Sequence, residues 1–266
     1  MDSLGTTKDY LRVESLCYSY HSLEGETLAI DNVSFSVKEG EFLAIVGPSG
    51  CGKSTLLSLI AGLIAPDCGH IYIGGNTANQ SDINIGYMLQ KDHLLDWRST
   101  IKNVALGLEI QHKYSDQSFL MINHMLDTYG LLSFKDAKPK ELSGGMRQRA
   151  ALIRTLLLQP DILLLDEPFS ALDYVTRLEV SDDICKIIRN EQKTAILITH
   201  DISEAISIAD RIIVLSGRPA HVKKVIDVHL TVEDKSPLHA RSAPEFKDYF
   251  NLIWKELTNH DTPKKK

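Results

Sequence analysis

No run in this sequence is long and apolar enough to cross a bilayer. The longest greasy stretch, LLSLIAGLIA from Leu56 to Ala65, is about half of what a spanning helix needs. The opening residues, MDSLGTTKDYLRVE, lack the basic-then-apolar organisation of a secretory signal. Cysteine is scarce. Cys17, Cys51, Cys68 and Cys185 stand with no CxxC spacing, which argues against a metal site or a disulfide framework and fits a reducing compartment. An excess of positive charge is also missing: the formal net charge is −6, so non-specific attraction to nucleic acid is not expected. The closing Lys264-Lys265-Lys266 run reads as a solvated tail. Internal repeats and low-complexity linkers are lacking as well.

What is present fits a globular chain. Hydrophobic residues make up 43% and charged residues 24%, proportions that allow a buried core. A length of 266 residues suits one large domain or two lobes sharing a core. The continuous apolar runs at Phe42–Val46, ILLLDEP, TAILITH and RIIVLSG predict strands buried on both faces. Helical patterns lie between them, so the expected class is α/β with a largely parallel sheet. From about Ser115 to Gln159 the pattern is helical, with Phe119, Ile122, Met125 and Leu126 at helix spacing. That stretch reads as a helical lobe inserted between two halves of the sheet. SAPEFKDYFNLIWKEL, Ser242 to Leu257, predicts a last amphipathic helix.

The segment VGPSGCGKST carries Gly47-x4-Gly52-Lys53-Ser54 between a buried strand and a helix, the position a phosphate-binding loop requires. Its glycines let successive N–H groups of Gly47, Pro48, Ser49, Gly50, Cys51, Gly52, Lys53, Ser54 and Thr55 turn inward around phosphate oxygens, proline excepted. The helix start adds unpaired N–H donors and a positive dipole end. Lys53 supplies a point charge and Ser54 a hydroxyl for Mg²⁺. The bland alternative is a glycine-rich turn. Cys51 reads as a small filler rather than a nucleophile.

Asp166 and Glu167 end an apolar strand, where unpaired charge is costly. Asp166 is expected to hold Mg²⁺, and Glu167 to orient or deprotonate an attacking water; a solvated strand end is the alternative. His200 closes another apolar strand and is expected at the same sheet edge, in reach of a terminal phosphate. In LSGGMRQR, Leu142 to Arg149, Ser143 can cap a helix while Gly144 and Gly145 expose its first N–H groups. That makes a second anion site in a chain with a single phosphate loop.

With these motifs in order, Leu11 to about Leu257 resembles the nucleotide-binding subunits of ATP-binding-cassette (ABC) transporters. The resemblance implies a P-loop NTPase (RecA-like) core with an antiparallel β subdomain and an inserted α-helical subdomain. It places a single ABC ATPase domain over 1–266: a nucleotide-binding core at about 11–95 and 160–235, a helical signature subdomain at about 96–159, and a C-terminal helix and tail at about 236–266. It also implies a head-to-tail homodimer holding two ATP and Mg²⁺, with Ser143, Gly144 and Gly145 acting in trans. Gln90 would touch Mg²⁺ and the lytic water, and Asp173 would belong to the D-loop SALD. An upstream aromatic would stack on adenine, Tyr20 by preference or Tyr18, with a buried strand aromatic as the alternative for either.

The implied setting is peripheral, at the cytoplasmic face of a membrane, on a separate permease, with an extracytoplasmic solute-binding protein acting indirectly. Repair-type relatives carry a long coiled coil and translation-type relatives two cassettes; neither is found here. Leu94, Leu95 and Trp97 are expected to form an apolar groove for the permease, with core packing as the alternative. The motifs are most similar to those of the nitrate, sulfonate, taurine and bicarbonate importers, although these usually read Leu-Leu-Pro-Trp where this chain has Leu95-Asp96-Trp97. Importers of thiamine precursors share much of the pattern. About fifty-five residues follow Asp210, too few for the added regulatory domain of sugar-importer ATPases, so no built-in regulation is expected.

Overall fold

The computed structural model describes residues 9–23, 25–77, 83–232 and 237–259. The Lys264–Lys266 run lies outside the described residues. The described chain opens with strands β1 (Asp9–Ser22), β2 (Gly25–Lys38) and β3 (Phe42–Val46), the last running into helix α1 (Lys53–Ile60). Strands β4 (Cys68–Ile73), β5 (Asn76–Thr77) and β6 (Ile85–Met88) follow, then helices α2 (Thr100–Ile110), α3 (Asp116–Thr128) and α4 (Gly144–Leu156). Next come β7 (Ile162–Asp166), α5 (Tyr174–Asn190), β8 (Thr194–Thr199), α6 (Ile202–Ile208), β9 (Arg211–Leu215) and β10 (Val222–Asp227). Helices α7 (Pro237–Ala240) and α8 (Phe246–Thr258) end it.

The chain forms two compact units, Met1–Ile83 with Gln192–Lys266, and Asn84–Glu191. Here β6, β7 and α5 group with the helices, because α4 packs on both β6 and α5.

In the first unit β1 lies antiparallel between β2 and β4, and β4 pairs with β5. A bulge interrupts β1 at Ser15, whose φ is 45°. Before it the odd positions Leu11 and Val13 are buried; after it the even position Leu16 is. The extra residue has switched which side chains face inward. The second sheet of this unit runs β3 parallel to both β8 and β9, with β10 antiparallel to β9. Every residue of β3 and β8 is buried, as their unbroken apolar runs require. Ala44, Val46, Ile206, Val214 and Ile253 pack into one cluster on this sheet. Ile253 anchors α8, and burying such a side chain is worth about 1.5–3 kcal/mol. This helix starts at Phe246 rather than Ser242, since the chain from His239 to Phe246 turns through short hydrogen bonds around Pro244.

In the second unit β6 and β7 pair in parallel. Helix α3 opens on a reciprocal cap, in which the Ser115 hydroxyl accepts from Ser118 N at 3.2 Å and the Ser118 hydroxyl from Ser115 N at 2.7 Å. Its Ile122 and Leu126 are fully buried against Val104 of α2 and Ala150 and Ile153 of α4. Met125 packs at the cluster's margin. Phe119, expected on the same apolar face, remains substantially exposed. Leu94 joins this cluster as well.

Candidate functional site

The candidate residues fall into two sets, one in each unit. In the first, β3 delivers its chain to the loop Gly47–Gly52, and α1 begins at Lys53. Gly50 and Gly52 adopt φ of 72° and 120°, a region that side chains disfavour. At Gly52 space is short as well, because a Cβ would lie 3.1 Å from the Ala29 carbonyl oxygen. Pro48 O accepts from Cys51 N at 3.3 Å, closing the turn. Lys53 is 5% exposed, and its ammonium donates to Gly47 O at 2.9 Å and Pro48 O at 3.1 Å. It is thus held over the loop by the loop's own carbonyls. Pro48, Ser49, Gly50 and Ser54 face solvent, whereas Thr55 is buried. Cys51 is buried too, and burial pushes its thiol pKa up against the opposing pull of Lys53. It therefore stays protonated, as a filler should.

The pairing of β3 with β8 sets Val46 opposite Thr199. Gly47 and His200 each come one residue later, so the loop and the histidine leave the same carboxyl edge of a parallel sheet side by side. Crevices at such edges are where α/β proteins bind ligands. Tyr20 of β1 lies 2.8 Å, Oη to Oγ1, from Thr55 on α1, which ties an exposed aromatic to the helix the loop begins. The Tyr18 ring meets Tyr20 edge-on, 5.0 Å between centroids.

In the second unit the parallel register Met88–Leu165 brings the chain leaving β6 beside the end of β7. Asp166 is buried there, and Tyr87 Oη donates to its Oδ2 over 3.5 Å. Glu167 adopts φ 45°, a strained conformation for a long side chain. The Gln90 amide Nε2 donates over 3.5 Å to Glu167 Oε2 and over 3.3 Å to Ser170 Oγ. Ser170 Oγ in turn donates to Glu167 O at 2.9 Å. These three residues form one small polar network around a carboxylate.

Ser143 caps α4, accepting from Met146 N at 3.3 Å. Gly144 and Gly145 have a packing reason beyond exposed N–H groups: a Cβ would meet Leu172 Cδ2 at 2.8 Å from Gly144, and Val180 Cγ2 at 2.6 Å from Gly145. A cavity of about 450 Å³ opens beside them, lined by Ser143, Gly144, Gly145, Asp173, Thr176 and Glu179 among others. Asp173 caps α5, and its hydrogen bonds from Thr176 hold the carboxyl below its usual pKa.

The sequence reading missed what holds the segment after Gln90. Arg147 Nε on α4 donates to Asp92 Oδ2 at 3.1 Å, and Arg154, two turns on, donates to Asp92 O at 2.7 Å and His93 O at 2.9 Å. Asn103 of α2, fully buried, accepts from Leu95 N at 2.7 Å and donates to Leu95 O at 3.1 Å. Arginines seven apart on one helix face were the available signal. Leu94 corrects the expected apolar groove. It is buried in the helical core, leaving half-buried Leu95 and Trp97, which is 75% exposed.

The donors proposed for Mg²⁺, namely Ser54, Gln90 and Asp166, are all oxygen groups of the kind that ion prefers. Among the described residues no three His, Cys, Asp or Glu side chains gather into a metal cage.

A glycine loop between a buried parallel strand and a helix, with an acidic pair ending a second such strand, defines an α/β nucleotide-hydrolysing protein of the P-loop class. The family model for the ABC transporter matches residues 30–170, and the chain belongs to that family. The ABC transporter ATP-binding protein YtlC of Bacillus subtilis is 44% identical over 250 residues, spanning 94% of this chain and 96% of its own. The nitrate import ATP-binding protein NrtD of Synechocystis is 35% identical over 257 residues, 95% and 97% of the two chains. Among solved structures, the post-hydrolysis dimer of the ATP-binding cassette MJ0796 bound to ADP and phosphate superposes with a TM-score of 0.70 at 32% identity, covering 82% of this chain and 99% of that one. The protein is an ATP-binding ABC subunit whose ATPase activity is coupled to transport. Among the described residues no helix is long and apolar enough to cross a membrane.

Proposed function

We propose that this chain energises import of a small solute through a separate membrane permease, working as a homodimer on the cytoplasmic face of the membrane. Each ATP lies between the phosphate loop of one copy and Ser143, Gly144 and Gly145 of the other. Within a copy, the backbone from Gly47 to Thr55 and the Lys53 ammonium hold the phosphates, and Tyr20 stacks on the adenine. Ser54, Gln90 and Asp166 hold Mg²⁺, which supplies charge neutralisation at the phosphate oxygens. Glu167 accepts the proton of the attacking water, Gln90 positions that water, and His200 contacts the terminal phosphate. Asp173 acts at the D-loop. Closure around two nucleotides reorients the permease, and hydrolysis reopens the pair.

The observation that carries this reading is the Gln90–Glu167 contact, which sets the carboxylate of a residue with a strained backbone against an amide from the segment that leads to exposed Trp97. One end of that segment touches the chemistry and the other faces outward, where a permease can push on it. Trp97 and half-buried Leu95 are the proposed docking residues. The transported solute is a small anion such as nitrate, taurine, another sulfonate or bicarbonate, on the strength of motif likeness and of the nitrate relative.

The test is affinity purification of the tagged protein from detergent-solubilised native membranes, with partners identified by mass spectrometry. A multi-span protein together with an exported binding protein supports the importer, and ligand screening of that binding protein then names the anion. Recovery of partners without membrane spans alone, or of nucleic-acid-binding proteins, overturns it.

A further inference from the structure

Cys17 on β1 and Cys68 on β4 are register partners in the antiparallel pairing of those strands. Directly opposed residues in such a pair have Cα atoms about 4.5–5.5 Å apart, within the span of a disulfide. The Ser15 bulge creates the meeting. The β1–β4 register shifts between Glu14 and Cys17, and the Ser15 carbonyl accepts from both thiols, at 3.6 Å from Cys17 Sγ and 3.5 Å from Cys68 Sγ. Gly69 permits the approach, since a Cβ there would lie 2.4 Å from the Glu14 and Ser15 carbonyl oxygens. All four cysteines are free thiols, and they differ in access: Cys68 is exposed and Cys17 half-buried, whereas Cys51 and Cys185 are buried. The neighbouring Cys17 thiol is the largest influence raising the Cys68 thiol above its ordinary pKa, so alkaline pH is what draws out its thiolate.

We propose that Cys17 and Cys68 form a close-set dithiol that closes to a cross-strand disulfide by exchange with a small-molecule disulfide. Cys68, as thiolate, attacks one sulfur of that oxidant and expels the other half as a thiolate, which takes up the proton Cys68 released. Cys17 then loses its proton and attacks the Cys68 sulfur of the mixed disulfide, expelling the second half as a thiol. Two protein thiols become one disulfide while one small disulfide is reduced to two thiols. The new bond ties β1 to β4 just before Tyr18 and Tyr20, on the strand that contacts Thr55. The pair is a redox clasp beside the phosphate-loop helix, and its chemistry does not depend on the importer reading.

The native full-length chain is incubated with excess oxidised glutathione at mildly alkaline pH, alkylated, and mapped by mass spectrometry without reduction. The expected product is an intramolecular Cys17–Cys68 link, lighter by two hydrogens and reversed by a thiol reductant, with Cys51 and Cys185 unmodified. In Cys17→Ser the reaction stops at glutathione on Cys68, and in Cys68→Ser modification slows by roughly tenfold or more, as the less accessible thiol must start it. A mixed disulfide persisting on wild-type Cys68 overturns the proposal. So does a link between two chains, or no reaction under conditions that oxidise the unfolded chain.

Discussion

Arg147 on α4 and Asp92, two residues past Gln90, form an ion pair of 3.1 Å. The helix that Ser143 caps is thereby fastened to the segment that follows the Glu167 network. Arg154 strengthens the fastening through two backbone carbonyls. Burial draws its pKa down against the opposing charge of Asp92. The two arginines should differ in what they stabilise. Arg147→Ala removes a half-exposed ion pair and is expected to cost about 0.5–1 kcal/mol. Arg154→Ala leaves the Asp92 and His93 carbonyls without their donor and should cost about 1–3 kcal/mol. Urea unfolding measures both. Each variant should also slow hydrolysis more than it weakens ATP binding, because neither arginine belongs to the proposed phosphate contacts.

Tyr20 carries two separable groups. Tyr20→Phe removes the hydroxyl at Thr55 and keeps the ring, so ATP affinity by calorimetry should hardly change. Tyr20→Ala removes the ring and should weaken binding about tenfold, or about 1.4 kcal/mol. If Tyr20→Ala binds normally while Tyr18→Ala does not, the stacking residue is Tyr18.

The signature glycines answer to packing before they answer to nucleotide. Gly145→Ala drives a methyl to 2.6 Å from Val180 Cγ2 and should destabilise the protein by about 1–3 kcal/mol. Adding Val180→Ala should recover much of that stability. Activity lost in Gly145→Ala and still missing in the double variant then isolates the role in trans from the role in packing.

Asp173 links the D-loop to acid stability. Its folded pKa is depressed, chiefly by the hydrogen bonds from Thr176. The capping contribution is therefore complete above the ordinary aspartate range and is lost as pH falls through the lowered native value. Asp173→Asn should flatten that part of the stability-against-pH curve in acid unfolding, with little change at neutral pH.

Much of this was legible in sequence because the informative patterns are local. The loop Gly47–Thr55 needs glycines, lysine and hydroxyls in a fixed order, and unbroken apolar runs such as Ile162–Leu165 mark strands buried on both faces. The α/β class followed from those runs. Contacts set by register were not legible. Cys17 meets Cys68 across a register that shifts at the Ser15 bulge, and Tyr20 meets Thr55 from a strand whose register shifts twice more between Leu16 and Ser19. Leu94 looked like groove lining beside Leu95 and Trp97, yet a backbone clamp from Asn103 and Arg154 turns it into the helical core. Nothing within a few residues of Leu94 announces that clamp. Helix α8 began four residues late for a similar reason, since the chain around Pro244 makes turn hydrogen bonds instead of helical ones.

The most direct test of the account is phosphate release by Glu167→Gln, measured with MgATP beside gel filtration of the same sample. Glutamine keeps the shape and the Gln90 neighbourhood while removing the proton acceptor. The account predicts a loss of about 10²–10⁴-fold in hydrolysis, together with an ATP-dependent dimer that persists. Release at the wild-type rate would contradict the assignment of Glu167 as the base on which the cycle turns.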